Sequence, residues 1–205
     1  VQRRAPLSDK DDDAHFNLIS ALHKSFRCSD ADAALYWLAR MLAGGEHPEY
    51  IARRLVRMAV EDIGLADPQA LPHCLAAWQA FERLGSPEGE LALAQAVIYL
   101  ATAPKSNAAY TAYGAARRSA AETGSLSPPK HILNAPTELM KREGYGAGYA
   151  YDHDAPDAFS GQDHFPEEMP RQRYYDPPER GFEREIRKRL AWWEKRRRER
   201  GGETS

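Results

Sequence analysis

The sequence predicts an all-α fold: a compact array of short helices with antiparallel connections, then a long irregular segment and a basic C-terminal helix. Apolar residues recur at three- and four-residue spacing in consecutive segments, which is the period of an amphipathic helix. Asp, Ser, Pro and Gly separate these segments, as expected of helix starts and stops. No stretch of the sequence alternates for long enough to indicate a strand. Paired helices are also compatible with a solenoid, but no signature recurs at a fixed period.

The first two predicted helices span residues 14–27 and 30–43. Aspartates at the end of a charged linker, residues 1–13, should cap the first helix, and Ser29 should cap the second. Gly44 and Gly45 should end the second helix, because glycine readily adopts the left-handed conformation found after helices. The predicted buried positions are Phe16, Ile19, His23 and Phe26 on the first helix, and Leu35, Leu38, Met41 and Leu42 beside Trp37 on the second.

Pro48 favours the first turn of a third helix, which the spacing predicts as far as Ile63. Its predicted buried side chains are Ile51, Leu55, Met58 and Ala59. The other face carries Arg53, Arg54 and Arg57. We interpret these arginines first as a solvated face that pairs with Glu49 and Glu61. The alternative is a stripe that contacts phosphate groups or another subunit.

The fourth and fifth helices are predicted to begin at Asp67-Pro68 and at Ser86-Pro87-Glu88, where Ser86 supplies the cap. Gly85 should end the fourth helix. The fifth helix is rich in alanine over residues 92–103, and alanine promotes helix formation and is small enough to let neighbouring backbones approach closely. We therefore predict that it is the central helix. The predicted apolar face of the fourth helix comprises Leu71, Leu75, Trp78, Phe81 and Leu84.

A polar corner follows the fifth helix, which Pro104 ends. The corner contains Lys105, Ser106 and Asn107, and Tyr110 lies in the next predicted helix, residues 107–122. All four side chains can form hydrogen bonds beside a buried segment, so the corner is a candidate functional site. A helix cap explains Ser106 or Asn107 equally well.

The last third of the chain has a different character. Asn134 to Thr137 should cap a short helix that ends at Gly144, and a C-terminal helix begins near Gly181 with a stripe of Phe182, Ile186, Leu190 and Trp193. Residues 145–178 exceed the length of an ordinary loop, and their aromatic residues favour a segment that wraps over the core. We divide the chain into a linker (1–13), a helical domain (14–144), an irregular wrapping segment (145–178) and a basic C-terminal helix with its tail (179–205).

The net charge of −2 argues neither for nor against nucleic acid. Acidic residues prevail from 143 to 179 and basic residues from 184 to 200. Cys28 and Cys74 lack metal-type spacing, which predicts reduced thiols. No apolar run approaches the roughly 20 residues of a membrane span, and no signal peptide opens the chain. Val at position 1 suggests a fragment or a processed chain.

The sequence lacks the motifs of phosphate-binding loops, dinucleotide folds, zinc sites and serine hydrolases. One cluster of carboxylates and imidazoles could ligate a divalent metal: Asp152, His153, Asp154, Asp157, Asp163 and His164. Local hydrogen bonding in turns explains these residues more simply. Glu61 and Asp62 are adjacent helix positions that should point in different directions, so we reject them as an acid/base pair. We assign no catalytic, cofactor-binding or metal-binding residue.

The basic C-terminal helix is the clearest candidate for binding nucleic acid. Its cations could neutralise phosphates, and Trp192 and Trp193 could stack on bases. The alternative is a docked amphipathic helix with solvated charges. Together with the arginine stripe and the corner, the candidate DNA-binding residues are Arg53, Arg54, Arg57, Lys105, Arg187, Lys188, Arg196, Arg197 and Arg198.

Five blocks, in order, resemble one family: HFNLISALHKSF, SDADAALYWLARML, HPEYIARRLVRMAVEDIGLADPQAL, PEGELALAQAVIYLATAPKSNAAY and NAPTELMKREGYGAGYAYDHD. They resemble the C-terminal helical region of the RarA/MgsA ATPases, bacterial replication-associated recombination proteins of the AAA+ class. These are related to eukaryotic Werner-helicase-interacting proteins and more distantly to clamp loaders. The resemblance covers about residues 9–181. In one departure, residues 12–16 read Asp-Asp-Ala-His-Phe where the family has Gly-Asp before His-Tyr; Phe16 can keep the packing role but lacks the hydroxyl.

The resemblance implies that the module binding ATP and Mg²⁺ is absent from this chain, so that this fragment itself has no cofactor. It implies a homotetramer formed through the helical region, DNA-stimulated ATPase activity in the intact protein, and action at stalled forks and single-strand gaps. DNA with single-strand/double-strand junctions and single-strand-binding protein are implied partners, without a membrane, in the cytoplasm at the nucleoid. In this light Ala96, Ser106, Asn107 and Tyr110 become candidates for a subunit contact or hinge.

Our leading hypothesis is therefore a non-catalytic oligomerisation and DNA-processing accessory domain of an AAA+ ATPase. The alternatives are an independent metal-dependent hydrolase that uses the cluster from Asp152 to His164, and a stand-alone DNA-binding helical module.

Overall fold

A computed structural model describes the backbone of residues 12–202 and the side chains of residues 16–200. Every regular element in this range is helical, which confirms the predicted all-α class. None of the described helices is long and apolar enough to cross a membrane. Residues 1–11 of the predicted linker, the aspartate side chains expected to cap the first helix, and the last three residues lie outside this description.

The chain divides into two compact units. The first comprises the described residues up to Tyr110 together with Pro177–Arg184, and the second comprises Thr111–Asp176 with the described residues from Glu185 onwards. The helices are α1 (Asp12–Arg27), α2 (Ala31–Ala43), α3 (Pro48–Met58), α4 (Ala70–Leu84), α5 (Glu90–Thr102), α6 (Ala108–Glu122), α7 (Glu138–Arg142) and α8 (Glu183–Gly202).

The apolar face of α1 is shorter than the spacing predicted. Ile19 and Phe26 are buried as expected, and Leu22 is buried with them. Phe16 is 61 % exposed, so the expectation that it packs in the core was wrong. The helical period continues to the start of α1, but the packed surface does not, because periodicity alone does not say how far a neighbouring helix extends.

The N-cap of α2 lies one residue later than predicted. The carboxylate of Asp30, not the hydroxyl of Ser29, accepts a hydrogen bond from the Ala33 N–H at 2.9 Å. Ser29 instead has a φ of 62°. Both residue types are good helix caps, so local sequence does not choose between them. At the other end of α2, the two glycines terminate the helix as predicted.

α4 buries a different face from the one we predicted. Leu71, Leu75 and Leu84 are exposed. Burial raises the pKa of the Cys74 thiol to about 12, which keeps it protonated, and both cysteines are free thiols as expected. The face that meets the core consists of the small residues Ala70, Cys74 and Ala77, with Trp78 and Phe81 partly buried beside them.

α5 is the central helix, as predicted, since it contacts α1, α2, α3 and α4. It begins at Glu90, so the expected start with a Ser86 cap was wrong; residues 86–89 form a turn instead. The Tyr99 hydroxyl donates a 2.6 Å hydrogen bond to Asp67 just before α4, which raises the pKa of Tyr99 to about 12. The buried side chains of α5 are Leu93, Ala96, Val97, Leu100 and Ala101.

The second unit combines local helix caps with contacts between distant segments. Thr137 caps α7, within the predicted capping segment, by accepting a hydrogen bond from the Met140 N–H at 3.2 Å. Between α7 and α8, the regular elements described are two short 3-10 turns, Asp152–Asp154 and Pro156–Ala158. Trp193 packs on Phe159 with their ring centroids 4.7 Å apart. Leu190 of α8 is exposed, as is Phe182, which belongs to the first unit and precedes α8, so the predicted apolar stripe is only partly covered.

Candidate functional site

The polar corner after α5 opens into a cavity of about 400 Å³ within the first unit. This volume lies in the range of small-molecule binding sites. The sequence drew attention to the corner but missed Arg27 and Arg180, which lie far from it in the chain. Three cations, two carboxylates and three neutral polar residues line the cavity: Arg27, Lys105, Arg180, Glu61, Asp62, Ser106, Asn107 and Tyr110.

Glu61 and Asp62 both line the cavity from a π turn, Ala59–Ile63, that continues α3. Oε1 of Glu61 lies 3.6 Å from Nη2 of Arg27, and Oδ1 of Asp62 lies 2.6 Å from Nε of the same arginine. Our expectation that the two carboxylates diverge was therefore wrong, although they form an ion-pair network here.

Asp62 is the centre of this network. Its Oδ2 lies 2.7 Å from Nε2 of His23, and its backbone carbonyl accepts a 2.7 Å hydrogen bond from the Ser106 N–H. Burial raises the pKa of Asp62, but hydrogen bonds and charges from His23 and Arg27 outweigh burial and hold the pKa below its ordinary value. The ionised carboxylate thus connects α1 to the π turn, and its backbone connects the π turn to the corner.

Lys105 uses its ammonium group to hydrogen-bond within the corner. Its Nζ donates to the carbonyls of Ala101 at 2.9 Å and Ala103 at 2.6 Å, and to the Ser29 hydroxyl at 3.2 Å. An ammonium group has three donors, so these acceptors use all of them. Its charge also lies at the C-terminal end of α5, where cations are favoured. Desolvation lowers the pKa of Lys105. The phosphate contact predicted for Lys105 would require one of these hydrogen bonds to break.

The other corner residues have separate roles. Ser106 is buried, and its hydroxyl accepts a 3.2 Å hydrogen bond from the N–H of Ala108, the first residue of α6. This is a local turn contact at the start of the helix, where the cap interpretation expected a bond from a later N–H group. Asn107 is exposed, as is 55 % of Tyr110. Gly64 permits the close approach of the corner, because a Cβ there would lie 3.3 Å from the Ser106 carbonyl oxygen and its φ is 51°.

Arg180 reaches the cavity from the end of the chain. The Phe182 N–H donates a 2.7 Å hydrogen bond to the Ala66 carbonyl, which docks residues 177–184 beside the π turn. A Cβ at Gly181 would collide with the same carbonyl, so this approach requires glycine. The guanidinium of Arg180 forms no hydrogen bond or ion pair with any residue the structure describes.

The arginine stripe of α3 adjoins this network. Nε of Arg57 lies 2.7 Å from Oε2 of Glu61, which confirms the predicted pairing; this contact raises the pKa of Arg57. Arg53 is exposed and Arg54 half-buried. The expected partner Glu49 forms no ion pair with the stripe among the described side chains.

The candidate metal ligands in the second unit are used locally. Asp152 accepts a 2.8 Å hydrogen bond from the Ser160 N–H, which lowers the pKa of Asp152. Asp163 accepts from the Phe165 N–H and pairs with Arg171 at 2.9 Å. No group of three His, Cys, Asp or Glu side chains within residues 16–200 is arranged to hold a metal ion. The hydrogen bonds of Asp152 and Asp163 are those that the turn interpretation predicted.

The basic C-terminal helix carries its charges largely in local ion pairs. These pairs are Lys188–Glu185, Lys195–Glu199, Arg196–Glu199, Arg197–Glu194 and Arg198–Glu194. Arg196 also lies over the Trp192 ring, 5.2 Å from its centroid. Arg187 is exposed. Trp193 is engaged with Phe159, so Trp192 is the tryptophan of α8 with the more accessible ring.

Large apolar side chains are exposed on two neighbouring helices of the first unit. Leu71 and Leu75 lie one turn apart on α4, while Leu91 and Ile98 lie two turns apart on α5. All four are more than a third exposed, and Leu91 reaches 75 %. Ala96, which we had considered a subunit contact, is completely buried among the helices of its own unit.

The sequence matches known proteins over most of its length. A family model described as MgsA AAA+ ATPase C terminal matches residues 28–194. The chain is 56 % identical over 188 residues to replication-associated recombination protein A of Coxiella burnetii, covering 91 % of this chain and 43 % of that protein. It is 50 % identical over 190 residues to the protein of the same name in Escherichia coli K12, covering 92 % of this chain and 42 % of the relative.

A eukaryotic relative is also similar. ATPase WRNIP1 of Dictyostelium discoideum is 50 % identical over 153 residues, covering 75 % of this chain and 18 % of the relative. The chain thus spans less than half the length of these curated relatives.

Proposed function

This chain belongs to the MgsA AAA+ ATPase C-terminal family, and from that premise we propose that it is the helical C-terminal part of an ATPase acting in replication-associated recombination. The names of its bacterial relatives support this role. The sequence has no G-x-x-x-x-G-K-[ST] loop, so its own residues do not fit ATP and Mg²⁺. We assign both to a module of the intact protein outside this chain.

The chain's own contribution in this proposal is self-association into a homotetramer. The observation that carries it is the exposed apolar surface of α4 and α5, where Leu71, Leu75, Leu91 and Ile98 contact water. Large apolar side chains exposed on neighbouring helices are a feature of many protein interfaces. Covering these side chains with a second copy removes apolar area from water. The buried alanines of α5 let the helices around α5 pack close to it.

Assembly would hold several ATPase modules around one DNA substrate. We propose that the intact protein acts at stalled forks and single-strand gaps, recognises single-strand/double-strand junctions, and works with single-strand-binding protein. In bacteria this places it in the cytoplasm, at the nucleoid. Direct DNA contact by this chain is a second candidate function, favoured by the run of cations from Arg184 to Arg200.

Light scattering on this chain tests the assembly proposal. At tens of micromolar we expect the mass of a tetramer, and Leu71→Glu combined with Leu75→Glu should reduce it, because a carboxylate is costly to bury unpaired. Tyr36→Glu is the control: it places one carboxylate, against the two of the double variant, at an exposed aromatic of α2 and should keep the parental mass. A monomeric parent chain, or equal effects of the two charge changes, would overturn the proposal.

A further inference from the structure

We propose that the corner cavity binds one nucleotide unit of single-stranded nucleic acid, with a phosphate on Arg180 and the base against Tyr110. The choice of ligand rests on the proposed role at DNA. The site itself rests on the geometry of the first unit, where residues from four separate segments line one open polar cavity.

The charge of the cavity suits a phosphate. Glu61 and Asp62 are both held by Arg27, and Glu61 is also held by Arg57, so neither carboxylate presents uncompensated negative charge. Lys105 adds a third positive charge to the lining without offering a free donor. The cations therefore outnumber the carboxylates. Arg180 is left with a planar set of donors that matches the oxygens of a phosphate.

The neutral residues of the cavity suit a base. Tyr110 lies in the first turn of α6 with its ring more than half exposed, so one face of a base can stack on it. Stacking on an aromatic side chain accepts any base, because every base has a π-face. The exposed Asn107 amide has both donors and an acceptor, which can pair with a base edge. An acidic peptide would satisfy Arg180 but leave this planar surface unused, so we favour the nucleotide.

The size of the cavity is consistent with one such unit. At about 400 Å³ it falls near the lower end of the range for ligand sites, too small for a folded partner. The side chains that face the ligand also leave the fold intact when changed. Arg180 has no described side-chain partner, and Tyr110 is largely outside the core. Substitutions there should report on binding rather than on folding.

Fluorescence anisotropy with a 3′-labelled oligothymidylate tests the site in low salt. Arg180→Gln should weaken binding by about fivefold or more, and Tyr110→Leu by a similar factor through lost stacking. Arg40→Gln is the matched control, because it removes the same charge from an exposed position of α2 outside the cavity and should change affinity less than twofold. Oligonucleotides with and without a 5′-phosphate, and thymidine 5′-monophosphate as competitor, separate a strand end from an internal nucleotide.

A loss of oligonucleotide affinity in Arg180→Gln and Tyr110→Leu, without a comparable loss in Arg40→Gln, supports the proposal. In that case, competition by the mononucleotide assigns a terminal unit, and its absence assigns an internal one. Equal weakening by Arg180→Gln and Arg40→Gln would overturn it in favour of diffuse electrostatics. Absence of strand binding, or displacement of a bound strand by an acidic peptide alone, would overturn it too. Light scattering on the same samples keeps the assembly proposal separate, since Arg180→Gln should retain the parental mass.

Discussion

The two units of this chain bury their side chains in different ways. In the first, helices α1 to α5 enclose a continuous apolar core that includes Leu22, Phe26 and Leu100 with almost no exposure. In the second, residues 111–176 and 185–200 contribute only two buried side chains, Ala112 and Pro129. Its aromatic residues instead contact one another and nearby arginines at the surface, as Phe159 does with Trp193 and Arg197.

This difference shows where each unit gets its stability. Apolar area removed from water stabilises the first unit, and the free energy is lost in large steps when a buried group is deleted. The second unit depends on individual hydrogen bonds, ring contacts and ion pairs, each of which contributes little when exposed. Substitutions in the two units should therefore differ in size by a clear margin.

The largest effect is expected from deleting a core side chain of α5. Leu100→Ala should lower the free energy of unfolding by about 2–5 kcal/mol, because it removes buried methyl groups and leaves a cavity. Leu139→Ala is the control, since this leucine of α7 is 67 % exposed and lies outside the proposed interface. It should change stability by less than about 0.5 kcal/mol. Denaturant unfolding followed by circular dichroism measures both; similar losses would contradict the described core.

An intermediate, pH-dependent effect is expected at Asp62. Because the pKa of this carboxyl is lowered in the folded state, its contribution is present above its ordinary pKa and disappears as the pH falls through the folded value. Asp62→Asn should cost about 1–3 kcal/mol at neutral pH, by weakening charge-assisted bonds to His23 and Arg27. The gap between parent and variant should narrow below about pH 4.

The second unit supplies the comparison for Asp62. The pKa of Asp152 is also lowered, by hydrogen bonds from Ser160, but this carboxyl is near the surface. Asp152→Asn should therefore destabilise the protein less than Asp62→Asn at neutral pH. A loss at Asp152 as large as that at Asp62, measured by the same unfolding titration, would contradict the contrast between the units.

The smallest effect is expected from a ring of the second unit. Phe159→Leu removes the contact with Trp193 and the cation contacts of Arg197 and Arg200. It should cost about 0.5–1.5 kcal/mol and shift tryptophan emission to longer wavelength as Trp193 becomes more hydrated. Tyr149→Leu, at an exposed ring of the same segment, should leave the emission unchanged. No shift in either variant would show that Phe159 does not cover Trp193.

Helix positions were predictable because their signals are local. Gly44 and Gly45 end α2, Thr137 caps α7, and the alanine-rich stretch forms the central helix as expected. Faces were less predictable. α4 carries two stripes at helical spacing, one of leucines and one of Ala70, Cys74 and Ala77. The larger apolar side chains of the leucines made their stripe the predicted buried face. The stripe of small residues faces the core instead, because it allows α4 to pack closely against α5.

The cavity was the least predictable feature. Lys105, Ser106 and Asn107 stood out as polar residues after a buried helix, yet the sequence assigned none of the partners that define their roles. No local pattern connects Arg27, Asp62 and Arg180, which are brought to the corner from separate segments. Glu61 and Asp62, which both contact Arg27, lie in a π turn. This turn has no sequence signature comparable to a proline at a helix start or a glycine at a helix end.

Local chemistry was therefore sufficient for the all-α class, for most helix ends and for the family, since caps, stops, the 3.6-residue period and contiguous motifs are all properties of neighbouring residues. Tertiary packing determined which stripe of α4 is buried. It also determined the hydrogen-bond and ion-pair partners of Asp62 and Lys105, and it brought Arg180 to the corner with its guanidinium unpaired. Those outcomes depend on contacts between residues far apart in the chain. Their free energies arise only when the helices meet and exclude water.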